Sequence, residues 1–292
     1  MSTIREQERE AKRRQKELDH EAIRAARRRI PLRPRLLVHL HPPKCAGTNL
    51  VRMIRRTGMT FPIRDVNGRD VIRMDSPCPR TREEMEALVH TYQVEEETSC
   101  VSFENDLPWI ERGHPRFETF CVIRHPLLRM ESLARSQGLS SERLLLRLEQ
   151  QADRPFKSYP CPYGYHSNYY IRLFTRQLGP ILDEQDVDRA MDCIREIDHV
   201  YVYELDGWQT RVPRDLGLRN LQTLQWEALD PRYDHGDPPS LITEEVRDFF
   251  ERTSALDLRL YERILAWVQS QGTAGPDPNP GVPNPPPPPP ES

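Results

Sequence analysis

The segment Leu36–Leu50 limits most strongly what this chain can fold into. Its apolar run predicts a buried strand over Arg35–His41. A Pro-Lys pair and two small residues then predict a turn. Thr48 opens a helical pattern that continues to about Arg56. A helix amino terminus presents unpaired N–H groups and positive potential, and Lys44 adds a full charge. A strand, a tight turn and a helix in this order therefore predict a loop that binds an anion.

The lysine of this loop has an unusual place for a phosphate-binding motif. In the Walker A motif, G-x-x-x-x-G-K-[ST], the lysine follows the second glycine, whereas Lys44 precedes Gly47. The segment from His41 to Asn49 resembles instead the 5′-phosphosulfate loop of sulfotransferases that use 3′-phosphoadenylyl sulfate, which reads roughly H-I-P-K-[CT]-[AG]-G-T-[ST]. The chain departs from that pattern by a second proline and by the asparagine at the last position.

A second motif follows the predicted strand Phe117–Ile123, which is rich in aromatic and β-branched residues. The strand is followed by Arg124, and a proline two residues later opens a helical pattern. This stretch resembles the 3′-phosphate motif of the same family, R-[DEH]-P-x-x-R-x-x-S, with Arg124, Arg129 and Ser132 on its arginine and serine positions. The fork of an arginine suits a phosphate, and a serine adds a hydroxyl donor. Arg129 fits both a ligand contact and an ordinary surface arginine.

Three weaker segments extend the resemblance, so that it spans residues 35–269 in the family's order. They are Ser167–Phe174, Val200–Glu204 and Ala255–Tyr261. The resemblance implies an α/β fold with a mostly parallel central sheet flanked by helices, the P-loop-like sulfotransferase fold, in one domain over residues 35–270.

The pattern of apolar residues predicts strands that alternate with helices. Strands are expected at Arg35–His41, Met59–Ile63, Ser99–Phe103, Phe117–Ile123 and Val200–Tyr203. Helices are expected at Thr48–Arg56, Thr81–Thr91, Leu127–Gln137, Ser140–Asp153, Ser167–Gln177, Val187–Ile197, Glu244–Thr253 and Ala255–Gln269, with a short helix or turn at Leu107–Arg112. In such a fold a ligand lies beyond the carboxyl ends of the strands, where Lys44, Glu104 and Arg124 would converge.

The two ends of the chain differ in composition from the middle. Residues 1–35 hold twelve basic and six acidic side chains, and residues 1–34 are predicted to form a basic, partly helical arm. Residues 271–292 are predicted to be a disordered, proline-rich tail, since ten of the 28 prolines follow Thr273. The arm is expected to be a solvated, partly helical segment, with docking on an anionic partner or on its own domain as the alternative. The tail is expected to be a solubilising segment, with a proline-binding partner as the alternative.

Composition argues against several classes of partner. The formal net charge of −3 provides no overall field for nucleic acid. No run approaches the roughly eighteen apolar residues of a membrane span, and no signal peptide is recognisable, so we expect a cytoplasmic protein. The six cysteines show no paired C-x-x-C spacing, which favours reduced thiols and no metal site.

The resemblance also implies an activity and a set of site residues. The activity is transfer of a sulfuryl group from 3′-phosphoadenylyl sulfate to an acceptor hydroxyl of a saccharide, a glycolipid or another small metabolite, without a metal. Lys44 is expected at the bridging oxygen of the phosphosulfate, and Glu104 is expected to be the general base. The residues expected to bind the donor are Lys44, Cys45, Ala46, Gly47, Thr48, Asn49, Arg124 and Ser132.

The motifs leave the general base and the acceptor open. Glu104 comes directly after a predicted strand, as the base does in many relatives, and His114, His41 and His125 are alternatives. Aromatic residues that suit either an acceptor site or the core are Trp109, Tyr159, Tyr163, Tyr165, Tyr169 and Tyr170.

Two other functions fit part of the pattern. A P-loop small-molecule kinase needs a Gly-Lys loop and an acidic magnesium ligand, but the second nucleotide-side strand is followed by Arg124. A non-catalytic nucleotide-binding interaction protein would act through the arm and the tail, yet Lys44, Arg124 and Ser132 are all retained.

Overall fold

Four parallel strands form the centre of the described part of this protein in a computed structural model of the chain. The structure describes residues 34–46, 50, 78–95, 100–104, 106–151, 165–177, 179, 182–217 and 239–273. The strands are β1 (Leu36–His41), β2 (Cys100–Glu104), β3 (Phe117–Ile123) and β4 (His199–Val202). Each neighbouring pair of these strands is parallel, which confirms the predicted α/β class for the described part of the chain.

Helices flank this sheet. They are α1 (Arg82–His90), which continues into a π-helical turn (Thr91–Glu95), α2 (Pro126–Ser136), α3 (Ser141–Gln151), α4 (Tyr169–Thr175), α5 (Glu184–Arg195), α6 (Trp208–Asp215), α7 (Glu244–Thr253) and α8 (Ala255–Thr273). In the described residues no helix is long and apolar enough to cross a membrane.

The main core lies between one face of the sheet and the helices α4, α5 and α8. Successive side chains of a strand point to opposite faces, so every second residue of each strand enters this core. Val38, Val101 and Cys121 are examples, all fully buried in one apolar cluster with residues of the three helices. A second cluster joins α2, α3 and α7.

The other face of the sheet is also buried in places but is more polar. His39 on β1 is fully buried, its Nδ1 lies 3.0 Å from Oγ of Ser102, and its ring stacks on Phe120. Burial, and then the neighbouring His41, lowers the pKa of His39 well below its usual value. His39 is therefore a neutral structural residue at neutral pH.

The strand order β2-β1-β3-β4 determines where a ligand can bind. The chain leaves β1 toward β2 on one side of the sheet and leaves β3 toward β4 on the other, which creates a topological switch point at the carboxyl ends of β1 and β3. Ligands of open α/β sheets bind in the crevice at such a point. The loop that contains Lys44 follows β1 and Arg124 follows β3, so both motifs lie at this crevice.

Several predicted boundaries agree with the structure. The bounds of β3 and α7 are those predicted, and the Oγ1 of Thr243 accepts a hydrogen bond from the N–H of Val246, as expected of an N-cap. The helix predicted at Val187 begins earlier, at Glu184, because the side chain of Asp183 accepts hydrogen bonds from the first turn in a capping box.

Two predictions about local structure were wrong or incomplete. Leu107–Arg112, predicted as a short helix or turn, form no helix, and only Arg112 lies in a turn, because the N–H of Leu107 is bonded to the side chain of Asp106 and the N–H of Trp109 to the carbonyl of Pro79. The helix α6 was not predicted, since it is short and contains Pro213.

Some predictions concern residues outside the described ranges. These are the arm over residues 1–33, the strand Met59–Ile63, the helix Thr48–Arg56 apart from Leu50, and the tail beyond Thr273. The helix α8 runs to Thr273, four residues past its predicted end.

Candidate nucleotide-binding site

The loop after β1 is a tight turn that feeds a helix. The N–H of Cys45 donates to the carbonyl of Pro42 over 3.3 Å, and Lys44, the third residue of this turn, has a φ of +67°. Ala46 also has a positive φ, +63°, and its carbonyl accepts a hydrogen bond from the N–H of Leu50, which is helical. A positive φ strains the backbone of residues other than glycine, and this loop contains two such residues. Strained backbone conformations of this kind are frequent at ligand-binding sites.

Cys45 points away from this loop and into the protein. Its side chain is fully buried, and its Sγ lies 3.1 Å from the hydroxyl of Tyr170. Burial raises the pKa of the Cys45 thiol, so the side chain is neutral. Cys45 was predicted among the donor-binding residues; in the structure its thiol and its N–H are both used to shape the loop.

The hydroxyl of Tyr170 joins the two predicted motifs. It donates a hydrogen bond to the carbonyl of Arg124 over 2.8 Å, accepts one from the N–H of Arg124 over 3.3 Å, and contacts Cys45. Tyr170 is fully buried, so it belongs to the core and not to an acceptor site. This bridge holds the turn after β1 against the residue that follows β3.

The guanidinium of Arg124 is held on two sides. Its Cζ lies 4.7 Å from the ring centre of Tyr203, and its Nε lies 4.0 Å from Oε1 of Glu204. The same Oε1 accepts a hydrogen bond from the N–H of His125, and Oε2 accepts one from the hydroxyl of Tyr261. Nε of Arg124 is buried and has no hydrogen-bond partner, while 23% of the side chain is exposed. The side chain of Arg124 is therefore partly accessible to a ligand.

Arg129 is a buried arginine and not a surface residue. It is only 3% exposed, its Cζ lies 4.2 Å from the ring centre of Tyr169 and 5.5 Å from that of Tyr170, and its Nε has no hydrogen-bond partner. No carboxylate of the described residues forms an ion pair with it. The carboxylate of Asp257, which is also buried, interacts electrostatically with Arg129 but lies beyond ion-pair distance. A buried positive charge favours nearby anions, and Asp257 supplies part of that compensation. The sequence alone had left this residue undecided.

The remaining predicted residues fall into three groups. The backbone of Glu104 pairs in register with His41 at the carboxyl ends of β2 and β1, beside the loop. Ser132 lies on α2, about 9 Å along the helix axis from Pro126, and is partly exposed. Gly47, Thr48 and Asn49 lie outside the described residues.

The alternative histidines differ in position. His114 lies before the start of β3, at the opposite edge of the sheet, where its ring stacks on Phe117. The length of β3, about 20 Å, therefore separates His114 from the loop. His125 packs edge-on against Tyr261, and burial lowers its pKa, so it is neutral at neutral pH. His41 ends β1 and lies beside the crevice.

The weaker motifs supply the frame of the site. Oδ1 of Asn168 accepts hydrogen bonds from the N–H groups of Leu256 and Asp257 at the start of α8, both over 3.1 Å. The carboxylate of Asp257 in turn accepts bonds from the N–H groups of Tyr170 and Ile171 at the start of α4, both over 2.9 Å. Each helix is thus capped by a side chain from the other, which fixes Tyr170 in place.

Comparison with known proteins adds no family assignment. No protein-family model matches this chain, and no curated protein matches its sequence. The resemblance therefore depends on the two motifs and on their meeting at one edge of the sheet.

The described part of the site is suited to anions. Lys44 follows β1, Arg124 follows β3, and Arg129 packs on Tyr170, which contacts both segments, so three basic residues lie near the carboxyl ends of these strands. Glu204 is the carboxylate nearest to Arg124 in the described residues, and both of its oxygens already accept hydrogen bonds.

Proposed function

We propose that this protein is a sulfotransferase with a P-loop-like sulfotransferase fold, which moves a sulfuryl group from 3′-phosphoadenylyl sulfate to an acceptor hydroxyl. The observation that supports the proposal best is the link through Tyr170, which holds the Lys44 loop beside Arg124 at the switch point of the sheet. The two motifs lie 80 positions apart in the chain, between Lys44 and Arg124, and they meet because they follow neighbouring parallel strands, where one ligand can contact both.

In this proposal each end of the donor has its own residues. The turn that contains Lys44 and the start of the following helix receive the 5′-phosphosulfate, and Arg124, with Ser132, receives the 3′-phosphate. The side chain of Arg124 is partly exposed, and its guanidinium can form charge-assisted hydrogen bonds to that phosphate. Arg129 is buried behind the site and adds positive potential without a direct contact.

The chemical step is an in-line substitution at sulfur. The acceptor oxygen forms a bond to sulfur while the bond from sulfur to the bridging phosphate oxygen breaks, and 3′-phosphoadenosine 5′-phosphate leaves. Lys44 stabilises the negative charge that grows on the leaving oxygen. The proton of the acceptor hydroxyl goes to a general base, for which Glu104 at the end of β2 is the first candidate.

Calorimetric titration with three nucleotides tests the donor site. 3′-Phosphoadenosine 5′-phosphate and adenosine 5′-phosphate differ only in the 3′-phosphate, and ATP represents a kinase. We expect the wild-type protein to bind the 3′-phosphorylated nucleotide about 100-fold more tightly than adenosine 5′-phosphate, because a charge-assisted pair contributes roughly 1.5–3 kcal/mol. Arg124→Ala should reduce that ratio to near one, and Lys44→Ala should weaken both nucleotides about equally.

The control for these variants is Arg143→Ala, which removes an exposed arginine of α3 and should leave all three affinities unchanged. A preference for ATP would support the small-molecule kinase instead. Absence of nucleotide binding would leave only a non-catalytic interaction protein, and either result would contradict the proposal.

Substitution of Glu104 by Gln tests the base. We expect transfer of labelled sulfate from the donor to a panel of saccharide and glycolipid acceptors to fall by a factor of about 10² to 10⁴, the usual contribution of a general base. Affinity for 3′-phosphoadenosine 5′-phosphate should stay within a factor of about two. Near-normal turnover by Glu104→Gln would exclude Glu104 and favour His41, which pairs with it in register.

A further inference from the structure

The carboxylate of Glu204 connects three elements around Arg124. Glu204 follows β4 by two residues, and its Oε1 accepts a hydrogen bond from the N–H of His125 over 2.9 Å. Its Oε2 accepts a hydrogen bond from the hydroxyl of Tyr261, on α8, also over 2.9 Å. Through these two bonds Glu204 ties the segment after β3 to α8 and to the end of β4.

This carboxylate lies beside Arg124 without a hydrogen bond to it. Its Oε1 lies 4.0 Å from Nε of Arg124, which is too long for a hydrogen bond. The same oxygen accepts the N–H of His125 over 2.9 Å, so its hydrogen bond goes to the backbone and not to the guanidinium. Glu204 and Arg124 therefore form a long ion pair, and the other hydrogen bonds of Glu204 hold its carboxylate in place.

The side chain of Arg124 is restricted by two neighbours and remains partly exposed. The ring of Tyr203 covers one face of the guanidinium, with 4.7 Å from Cζ to the ring centre, and Glu204 lies beside Nε. These contacts restrict the rotation of a long side chain that would otherwise lose considerable rotamer entropy when a ligand binds. The side chain is 23% exposed, so a ligand can reach it.

We propose that Glu204 and Tyr261 are positioning residues for Arg124: they hold its guanidinium in the orientation that receives a phosphate group on the nucleotide. This inference rests on the proposed function, because the phosphate is the 3′-phosphate of the donor. Tyr261 acts through Glu204, which it keeps from turning toward Arg124 as a competing anion. Neither residue needs to touch the ligand.

The proposal differs from two simpler roles for the same carboxylate. If Glu204 were only a structural residue, its loss would affect stability and the binding of all nucleotides alike. If Glu204 competed with the phosphate for Arg124, its loss would increase the preference for a 3′-phosphate. A positioning role requires that its loss decrease that preference and leave other nucleotide binding unchanged.

The test measures the ratio of affinities for 3′-phosphoadenosine 5′-phosphate and adenosine 5′-phosphate by calorimetry. We expect Glu204→Ala to lower the ratio about tenfold and Tyr261→Phe about threefold, while the affinity for adenosine 5′-phosphate changes less than about twofold. Glu204→Gln keeps an oxygen that can accept the hydrogen bond from the N–H of His125, so it should retain more of the ratio than Glu204→Ala. That partial rescue is not expected if the charge of Glu204 alone is responsible.

The matched control is Glu118→Gln, at the opposite edge of the sheet. Glu118, unlike the partly exposed Glu204, is buried, but it too is a carboxylate with basic partners, His199 at 2.8 Å and Arg35 at 3.1 Å. Its substitution should lower the thermal midpoint without a change in the ratio. If Glu204→Ala does not fold, the positioning role is tested by the affinity ratio of Tyr261→Phe, which removes only a single hydroxyl.

Each outcome has one meaning. A ratio that is unchanged in Glu204→Ala and in Tyr261→Phe, in a protein whose wild type prefers the 3′-phosphate, would overturn the positioning role and leave the proposed function intact. A ratio that rises in Glu204→Ala and Glu204→Gln would show competition and would also overturn it. A wild type without any preference for the 3′-phosphate would overturn the proposed function together with this inference.

Discussion

At the scale of single residues, Lys44 combines a functional charge with an unfavourable backbone conformation. A positive φ costs a residue with a Cβ atom roughly 1 kcal/mol or more, and Lys44 has a φ of +67°. Glycine would adopt this conformation without that cost. The presence of lysine here is explained if its ammonium group is needed, since strain of this kind is often retained at functional sites.

Substitution of Lys44 separates the two effects. Lys44→Gly and Lys44→Ala both remove the ammonium, but only glycine removes the steric cost, so we expect Lys44→Gly to be more stable than Lys44→Ala by about 1 kcal/mol. Both variants should lose sulfuryl transfer. Urea denaturation of the two variants gives the difference in the free energy of unfolding, and equal stabilities would argue that the positive φ at Lys44 carries no strain.

Tyr170 shows how a residue of the core can serve the site. Its ring is fully buried, whereas its hydroxyl contacts the backbone of Arg124 and the thiol of Cys45. The order of residues in the chain could not reveal this role, because an aromatic ring in an apolar helix has the same pattern whether or not its polar end has a partner.

At the scale of elements, the reciprocal caps between α4 and α8 stabilise the frame of the site. Helix amino termini leave N–H groups without partners, and here each terminus receives its acceptor from the other helix: Asn168 for α8 and Asp257 for α4. Because Tyr170 lies in the first turn of α4, these caps also determine where its hydroxyl meets the two loops.

Asp257 should make the stability of this frame depend on pH. Burial raises the pKa of Asp257 to about 6, even though the N–H groups of Ile171 and Tyr170, and then the nearby arginines, act in the opposite direction. Between about pH 4 and pH 6 the folded state therefore holds a proton that the unfolded state has released. The contribution of Asp257 to the free energy of unfolding is largest at low pH and falls by on the order of 3 kcal/mol as pH rises through this range.

Asp257→Asn tests this linkage. The amide offers one acceptor oxygen for two N–H groups, so the variant should lose about 1–3 kcal/mol, but its stability cannot respond to this ionisation. We expect the free energy of unfolding of the wild type minus that of Asp257→Asn, measured in urea between pH 4 and pH 7, to decrease as pH rises. A difference that is constant or increases with pH would contradict the raised pKa of Asp257.

At the scale of the whole molecule, the strand order is what brings distant segments to one crevice. With β1 between β2 and β3, the segments that follow these three strands lie side by side, and β4 adds Tyr203 and Glu204 next to β3. Four separate stretches of the chain thus contribute to one edge of the sheet. The opposite edge holds His114 and the ion pair of Glu118 with Arg35, which lie far from the loop.

The sequence by itself determined the α/β class, most strand and helix positions, and the two motifs that identify the candidate site. Apolar periodicity, the Pro-Lys turn and the caps at Thr81 and Thr243 are local signals, which depend on residues near each other in the chain. The bounds of β3 and α7 were correct for that reason. Elements such as α6, with a proline inside, have weak local signals and were missed.

Only the tertiary structure decided which side chains meet. The burial of Arg129 against Tyr169, the bridge of Tyr170 between two loops and the bonds of Glu204 to His125 and Tyr261 join residues far apart in the chain. Such contacts follow from strand order and helix packing, which local residue patterns do not specify. The same reason explains why His114, close in sequence to the central strands, lies at the wrong edge for the proposed chemistry.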